Sequence, residues 1–197
     1  MRSETIEVDG VDLFVRRWGE PGQPAVLLLH SMGENSETWT EVAKALAPDH
    51  AVYALDLRGH GGSDRPNQYS FELLRHDVAG VIDRLALRRV SLVGHSLGGM
   101  VAYQLAGQNP DFLERLVLED APPPLPTQPA PPVPDRPGGD LPFDWRVLTS
   151  LWPERNTPDP TWWSQLASVV APTLVIGGGP DSHVDQEQMA AMADRFP

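Results

Sequence analysis

The chain has 197 residues, which is enough for one domain with a substantial core. Its 15 basic and 27 acidic residues give a formal net charge of −12 without an extended basic run, and it has no cysteine, so we expect no nucleic-acid partner, no disulfide and no thiolate metal site. The N-terminus is polar, and no apolar run approaches the roughly 20 residues that span a bilayer, so we expect no membrane partner and a cytoplasmic location.

The N-terminal half alternates short apolar runs with segments of helical periodicity. Continuous apolar runs indicate strands covered on both faces of a parallel sheet, and apolar residues at intervals of three and four indicate helices. The Asp9-Gly10 pair between two alternating segments predicts a hairpin over residues 4–18. Ser36 and Ser70 are predicted N-caps of the first two helices. The pattern predicts strands over 25–29, 51–55 and 90–93, and helices over 36–47, 70–87 and 100–109.

The pentapeptide Gly94-His95-Ser96-Leu97-Gly98 follows the predicted strand over 90–93. It has the G-x-S-x-G pattern of a nucleophile elbow, in which a strained turn exposes a serine hydroxyl. The two glycines allow strand and helix to approach closely. The Leu97 amide, at a helix N-terminus, can bind a developing negative charge. The alternative is an ordinary strand–helix connection in which Ser96 caps the helix.

The C-terminal half begins with a predicted strand over 115–119, which ends at Asp120. Residues 121–160 hold most of the 21 prolines, and this composition predicts an extended excursion because proline blocks helix interiors. A disordered linker is the alternative. The Trp and Leu residues favour a segment that packs, with helices around 145–152 and 161–169.

A final strand over 173–176 and a helix capped by Asp185 and Gln188 complete the alternation of strands with helices. Such alternation predicts an α/β fold with a mostly parallel sheet. Ligands of these sheets bind at the carboxyl ends of the strands. Five polar side chains fall at predicted strand ends: His30, Asp56, Ser96, Asp120 and Asp181.

Four segments together resemble the α/β-hydrolase superfamily, in the order typical of that family: residues 30–33, 56–64, 94–99 and 173–181. The resemblance implies an α/β-hydrolase fold with an N-terminal hairpin, flanking helices and an inserted lid. It divides the chain into a first part of the core over 1–120, a Pro/Trp-rich lid over 121–170, and a further part of the core over 171–197.

The resemblance also implies roles for the site residues. Ser96 is the nucleophile, and the amides of Leu97 and Met32 form the oxyanion hole. Asp181 is the acid that orients a catalytic histidine, with Asp120 as the alternative acid. Other residues expected to line the site are His30, Ser31 and His95.

The loop that contains Met32 departs from the family pattern, and the resemblance also bears on cofactors and metals. Ser31 stands where the family usually has glycine, a departure that would alter the loop but leave the Met32 amide available. No cofactor and no metal are implied. A metal site formed by Asp181, His183 and Asp185 is the alternative to that expectation.

A serine at the elbow implies acyl transfer, because epoxide hydrolases and haloalkane dehalogenases of this fold carry aspartate there. We therefore expect a serine hydrolase that cleaves a small carboxylic ester, thioester or lactone through an acyl-enzyme. The alternatives are a non-catalytic ligand-binding protein and a cofactor-free lyase, isomerase or perhydrolase. The lid aromatics indicate either an apolar substrate or anchors of the lid: Phe143, Trp145, Trp152, Trp162 and Trp163.

In the family the catalytic histidine follows an eighth strand, which would lie after residue 197. We therefore expect the closing strand, the histidine and the last helix to be absent, so that the strand over 173–176 ends the sheet with an edge prone to aggregation. A truncated chain, a second copy that supplies these parts in a homo-oligomer, and a loss of catalysis are the competing explanations. The 197-residue chain alone is expected to be nearly inactive, because loss of a triad member leaves only about 10³–10⁴-fold acceleration over water.

Overall fold

The computed structural model describes residues 1–127 and 129–197. A seven-stranded sheet lies at its centre, with helices packed against both faces. The strands are β1 Arg2–Val8, β2 Val11–Trp18, β3 Ala25–Leu29, β4 Ala51–Leu55, β5 Val90–His95, β6 Leu113–Glu119 and β7 Thr173–Ile176. The helices are α1 Thr40–Leu46, α2 Phe71–Arg84, α3 Leu97–Ala106, α4 Trp145–Asn156, α5 Pro160–Gln165 and α6 Gln186–Ala193, with 3₁₀ turns at Ser36–Trp39 and Leu166–Ser168.

The strand order in the sheet is β1-β2-β4-β3-β5-β6-β7. Strands β3 to β7 run parallel, β1 and β2 form the predicted hairpin, and β2 is antiparallel to β4. The register places Leu29 beside Gly94 and His95 beside Glu119. The carboxyl ends of β3, β5 and β6 therefore meet at one edge of the sheet. The predicted α/β fold with a mostly parallel sheet is confirmed.

The core lies on both sides of the central strands, as the continuous apolar runs predict. All five residues of β3 are buried, and successive side chains point to opposite faces. Leu27 and Leu29 pack into the larger apolar cluster with residues of α2 and α3. Val26 and Leu28 pack into a smaller cluster with a residue of α1. The sheet is thereby held rigidly between its helical layers.

The predicted helix over 36–47 differs in detail from the structure, which has a 3₁₀ turn followed by α1. The residue that caps it is Asn35, whose Oδ1 accepts a hydrogen bond from the Glu37 amide at 2.8 Å. The predicted cap, Ser36, is buried, and its hydroxyl accepts from Arg16 Nε at 3.0 Å. The Ser36 hydroxyl is therefore bonded to a side chain distant in sequence, and it does not cap the helix as the sequence pattern predicted.

The predicted Ser70 cap is confirmed, and of the predicted Asp185–Gln188 capping box the Asp185 half is present, whereas no bond from the Asp185 amide to the Gln188 side chain forms within the described residues. The Ser70 hydroxyl accepts from the Leu73 amide at 3.1 Å at the start of α2. At the start of α6, Asp185 Oδ1 accepts from the Glu187 and Gln188 amides, each at 3.0 Å. These bonds satisfy helix amides that have no partner within the helix.

The segment predicted to form a lid joins the core through its backbone. Its described residues before Trp145 form no helix or strand, apart from one isolated bridge. The Asp144 amide donates to the Gly59 carbonyl at 2.7 Å, and the Gly61 amide donates to the Pro142 carbonyl at 3.1 Å. The residues just before α4 are therefore fixed by backbone hydrogen bonds to the loop after β4. The division of the chain into core and lid stays an interpretation.

Strand β7 lies at one edge of the described sheet and pairs only with β6 there. Its side chains Leu174 and Ile176 are 56% and 42% exposed. The expected exposed edge is thus present within the described residues. In the same part of the chain, no helix has both the length and the apolar character that crossing a bilayer requires.

Candidate active site

Ser96 occupies a strained turn between β5 and α3. Its φ of 48° and ψ of −108° lie in a region that L-residues rarely adopt. The Ser96 amide donates to the Glu119 carbonyl at 2.9 Å, and its carbonyl accepts from the Met100 amide at 2.9 Å. Its side chain caps no amide of α3. The predicted strained turn between strand and helix is therefore present and Ser96 does not cap α3, whereas its role as a nucleophile stays a prediction.

Gly94 and Gly98 make this turn sterically feasible. A Cβ atom on Gly94 would lie 2.4 Å from the Gly98 carbonyl oxygen. A Cβ atom on Gly98 would lie 2.3 Å from the Leu29 carbonyl oxygen. Because these neighbours are backbone atoms of the central sheet and of α3, they cannot move aside locally. The predicted close approach of strand and helix is confirmed.

Two backbone amides in the loops around the Ser96 turn have no acceptor within the described residues. Leu97 is the first residue of α3, so its amide has no partner within the helix. Within the described residues, neither the Leu97 amide nor the Met32 amide donates a hydrogen bond. Ser31 has no positive φ, so the loop forms without the glycine usual at that position. Both residues with free amides line the same cavity as Ser96.

That cavity, the Ser96 cavity, has a volume of about 190 Å³. Helix α4 contributes four residues at intervals of three and four, which places them on one helix face. Apart from Ser96 and one arginine, the lining is apolar. The lining residues are Met32, Phe71, Ser96, Leu97, Met100, Pro122, Leu148, Leu151, Trp152 and Arg155.

The five aromatic residues of the predicted lid divide between two roles. Trp152 lines the Ser96 cavity. Phe143 stacks on His60 with ring centroids 5.2 Å apart, and Trp162 packs edge-on against Phe71 at 5.7 Å. Trp145 and Trp163 likewise contact other side chains outside this cavity. Most of these aromatics are therefore anchors of the segment rather than substrate contacts.

The two candidate acids differ sharply in their surroundings. Asp120 follows β6 directly, and its carboxylate accepts hydrogen bonds from the Gly178 amide at 3.0 Å, the Ser182 hydroxyl at 2.6 Å and Gln186 Nε2 at 3.2 Å. Asp181 is exposed, lines neither the Ser96 cavity nor its neighbour, and has no hydrogen bond within the described residues. Asp120 thus anchors the loop after β7. The catalytic assignment of either acid stays a prediction.

His30 and His60 are fully buried below the site, with ring centroids 4.9 Å apart. His30 Nδ1–H donates to the Ser31 carbonyl at 2.7 Å, and Nε2 accepts from the Leu57 amide at 3.0 Å. Burial lowers the pKa of His30, and burial together with the neighbouring His30 lowers the pKa of His60 to about 3. Both rings are therefore neutral at pH 7 and brace the loops after β3 and β4.

Two other histidines lie near the site without reaching Ser96. His95 Nδ1 is 3.7 Å from Glu34 Oε2. His183 lines a neighbouring cavity of about 400 Å³. Within the part of the chain that the structure describes, no histidine lines the Ser96 cavity or is hydrogen-bonded to Ser96, Asp120 or Asp181. We therefore assign no described residue as general base.

The metal hypothesis is not supported. Among residues 1–127 and 129–197, no group of three or more His, Cys, Asp and Glu side chains is arranged to hold an ion. The alternative site formed by Asp181, His183 and Asp185 is therefore not assembled. Asp185 instead caps α6.

Comparison with known proteins adds to this geometry. Residues 24–148 match the family described as alpha/beta hydrolase fold. An uncharacterized protein of Mycobacterium tuberculosis is 46% identical over 99 residues, which cover 50% of this chain and 29% of that protein. Epoxide hydrolase 4 of mouse is 35% identical over 109 residues, which cover 54% of this chain and 30% of that enzyme. The chain thus spans about 30% of the length of these relatives.

A solved structure shows the same fold over most of its length. The enol-lactonase from Burkholderia xenovorans LB400 superposes with a TM-score of 0.82 at 22% identity, covering 98% of this chain and 88% of that chain. At this identity the likeness establishes the architecture only.

Proposed function

Because the chain belongs to the α/β-hydrolase family, we propose that it is a serine hydrolase whose substrate is a small carboxylic ester, thioester or lactone. One observation supports this most: Ser96, Leu97 and Met32 line a single cavity, Ser96 is strained, and the amides of Leu97 and Met32 donate to no acceptor within the described residues. A hydroxyl nucleophile beside two unpaired amide donors suits a reaction in which a carbonyl oxygen becomes negatively charged.

The proposed reaction has two steps. The Ser96 hydroxyl oxygen attacks the carbonyl carbon and loses its proton to a base, while the amides of Leu97 and Met32 stabilise the oxyanion. Collapse of the oxyanion breaks the bond to the leaving oxygen or sulfur, which takes up that proton. The alcohol or thiol departs, or stays on the acyl chain when a lactone opens, and an acyl-enzyme remains. Water then attacks the acyl group, and Ser96 leaves with restored hydroxyl. Each amide that binds the oxyanion is expected to contribute about 10²–10³ in turnover. The proton of Ser96 must pass to a base, a role we give to no described residue.

The similarity to an enzyme named epoxide hydrolase does not transfer its substrate to this chain. Family members that open epoxides are expected to have aspartate at the elbow, whereas this chain has Ser96. A serine ester intermediate is formed at a carbonyl carbon.

The test is hydrolysis of 4-nitrophenyl butyrate by the chain and by its Ser96→Ala variant, with and without added imidazole. We expect slow turnover that imidazole accelerates in the parent protein, because an external base can replace the one that the described residues do not supply. The Ser96→Ala variant should hydrolyse the ester at the rate of imidazole alone. Equal rates for the two proteins would overturn the proposal.

The absence of a histidine from the Ser96 cavity, within the described residues, favours one second candidate. The protein would then bind a small ligand without acyl transfer. In that case a ligand would raise the unfolding temperature equally in the parent and in Ser96→Ala, and no acyl-enzyme would be detected by mass spectrometry.

A further inference from the structure

Arg155 is the charged side chain of the Ser96 cavity. It lies on α4, it is half-buried, and every other residue that lines this cavity within the described chain is uncharged. Arg155 also lines the neighbouring cavity of about 400 Å³, so it stands where the two cavities adjoin. Nothing in the acyl-transfer reaction proposed above uses a cation at this position.

Within the described part of the chain, the Arg155 guanidinium has no acidic partner. Its Nη1 donates to Asn156 Oδ1 at 2.8 Å, and its Cζ lies 5.8 Å from the centroid of the Trp152 ring. No carboxylate lies within 4.0 Å of Arg155 among residues 1–127 and 129–197. Asp185 and His183 line the larger cavity, and neither forms an ion pair with Arg155 in the described structure.

An unpaired arginine in such a place is costly unless a ligand satisfies it. Burial lowers the pKa of Arg155, yet a guanidinium stays charged in proteins. Its five N–H donors form a planar fork that matches a carboxylate, and among the described residues a single protein group, Asn156 Oδ1, accepts from it. Removing a charge from water without a partner is unfavourable, so the position favours an anion from outside.

We propose that Arg155 binds a carboxylate on the substrate, so that the preferred ester, thioester or lactone carries a negative charge a few bonds from its reacting carbonyl. The proposal rests on the function proposed above, and it names the substrate class of the same site. Ser96 and Arg155 line one small cavity. The substrate that suits both groups is therefore a short half-ester of a dicarboxylic acid or a lactone that carries a carboxylate.

The test measures binding without catalysis, with the Ser96→Ala protein and isothermal titration calorimetry. The probes are monomethyl succinate and methyl 4-oxopentanoate, which have nearly the same shape and differ by the carboxylate. We expect the charged probe to bind at least about tenfold more tightly than the neutral one, as charged hydrogen bonds allow. Adding Arg155→Gln should abolish this preference.

Two variants serve as controls. Arg136 is an exposed arginine of the same segment whose hydrogen bonds within the described residues go to backbone carbonyls, and it lines neither of these two cavities. Ser96→Ala with Arg136→Gln should therefore keep the full preference. Arg155→Lys keeps the positive charge but loses the planar fork of donors, so we expect it to retain part of the preference for the charged probe. This variant replaces Arg155→Gln in the comparison if Arg155→Gln does not fold.

Equal affinity for the two probes, absence of binding by both, or an unchanged preference in folded Arg155→Gln and Arg155→Lys would each overturn the proposal. Its failure is distinguishable from failure of the proposed function. Binding is measured in a protein without the nucleophile, whereas the proposed function is tested by ester hydrolysis that depends on Ser96.

Discussion

Two non-glycine residues adopt left-handed backbone conformations at the ends of neighbouring strands: Ser96 has a φ of 48° and Asp120 a φ of 43°. Such conformations persist only where surrounding contacts hold them. For Ser96 the contacts are backbone hydrogen bonds to β6 and α3. For Asp120 they include three donors from the loop after β7 and from α6. The backbone conformation of Ser96 is thus held by main-chain hydrogen bonds, whereas that of Asp120 depends in part on bonds to its own carboxylate.

Asp120→Asn should destabilise the protein more than Asp181→Asn. The Asp120 substitution removes the charge that three donors share, and we expect the free energy of unfolding to fall by about 1–2 kcal/mol. Asp181 is exposed and unbonded, so Asp181→Asn should change it by less than about 0.5 kcal/mol. Urea denaturation of both variants measures the difference, and equal effects would contradict the anchoring role of Asp120.

At the scale of elements, sequence periodicity predicted the strands more accurately than the helix ends. The helix predicted from residue 100 begins at Leu97, because the elbow turns directly into α3 despite the low helix propensity of Gly98 and Gly99. The helix predicted around 145–152 continues to Asn156 with Pro153 inside it.

The error at the end of α4 explains which site residues could be predicted from sequence. Ser96, Leu97 and Met32 belong to local motifs, and the structure brings them to one cavity. Arg155 was not predicted, because Pro153 indicates a helix end and Arg155 lies beyond it. Spacing from Leu148 would have placed Arg155 on the same helix face, so helical periodicity was the signal available. The packing of α4 over the strand ends could not be predicted from local pattern alone.

The exposed edge strand β7 should govern association of this chain. Leu174 is more than half exposed on a strand that, within the described sheet, has no neighbour on one side, and the backbone groups of such an edge are a template for pairing with another chain. We expect Leu174→Lys to reduce aggregation on heating, because an edge lysine opposes strand pairing. Val42→Lys, at an exposed site on α1, is the matched control and should not do so. Light scattering during a thermal ramp measures both, and similar scattering for both variants would contradict this role of β7.

At the scale of the whole molecule, two buried histidines join the sheet, the glycine-rich loop and the predicted lid. His60 lies between His30 and Phe143, with centroid distances of 4.9 and 5.2 Å. Its Nε2 has no hydrogen-bond partner in the described residues. The junction therefore depends on a neutral ring packed among apolar and aromatic neighbours.

This junction predicts how stability varies with pH. The pKa of His60 is about 3 when folded and near 6.5 when unfolded, so the unfolded chain binds the proton first as pH falls. The contribution of the neutral His60 ring to the free energy of unfolding is complete above about pH 6.5. It is lost as the pH falls towards 3, by up to about 1.4 kcal/mol per pH unit. His60→Phe removes this titration, so its free energy of unfolding should fall less steeply below pH 6.5. Identical slopes for the two proteins in urea denaturation would contradict the prediction.

The central claim is that Ser96 is a nucleophile at an elbow with an oxyanion hole, and its most direct test is the intact-mass spectrum of the protein after treatment with a fluorophosphonate. We predict one adduct, located on Ser96, that forms slowly and faster with added imidazole, and no adduct on Ser96→Ala. A parent protein that stays unmodified with and without imidazole, or an equal adduct on Ser96→Ala, would contradict the claim.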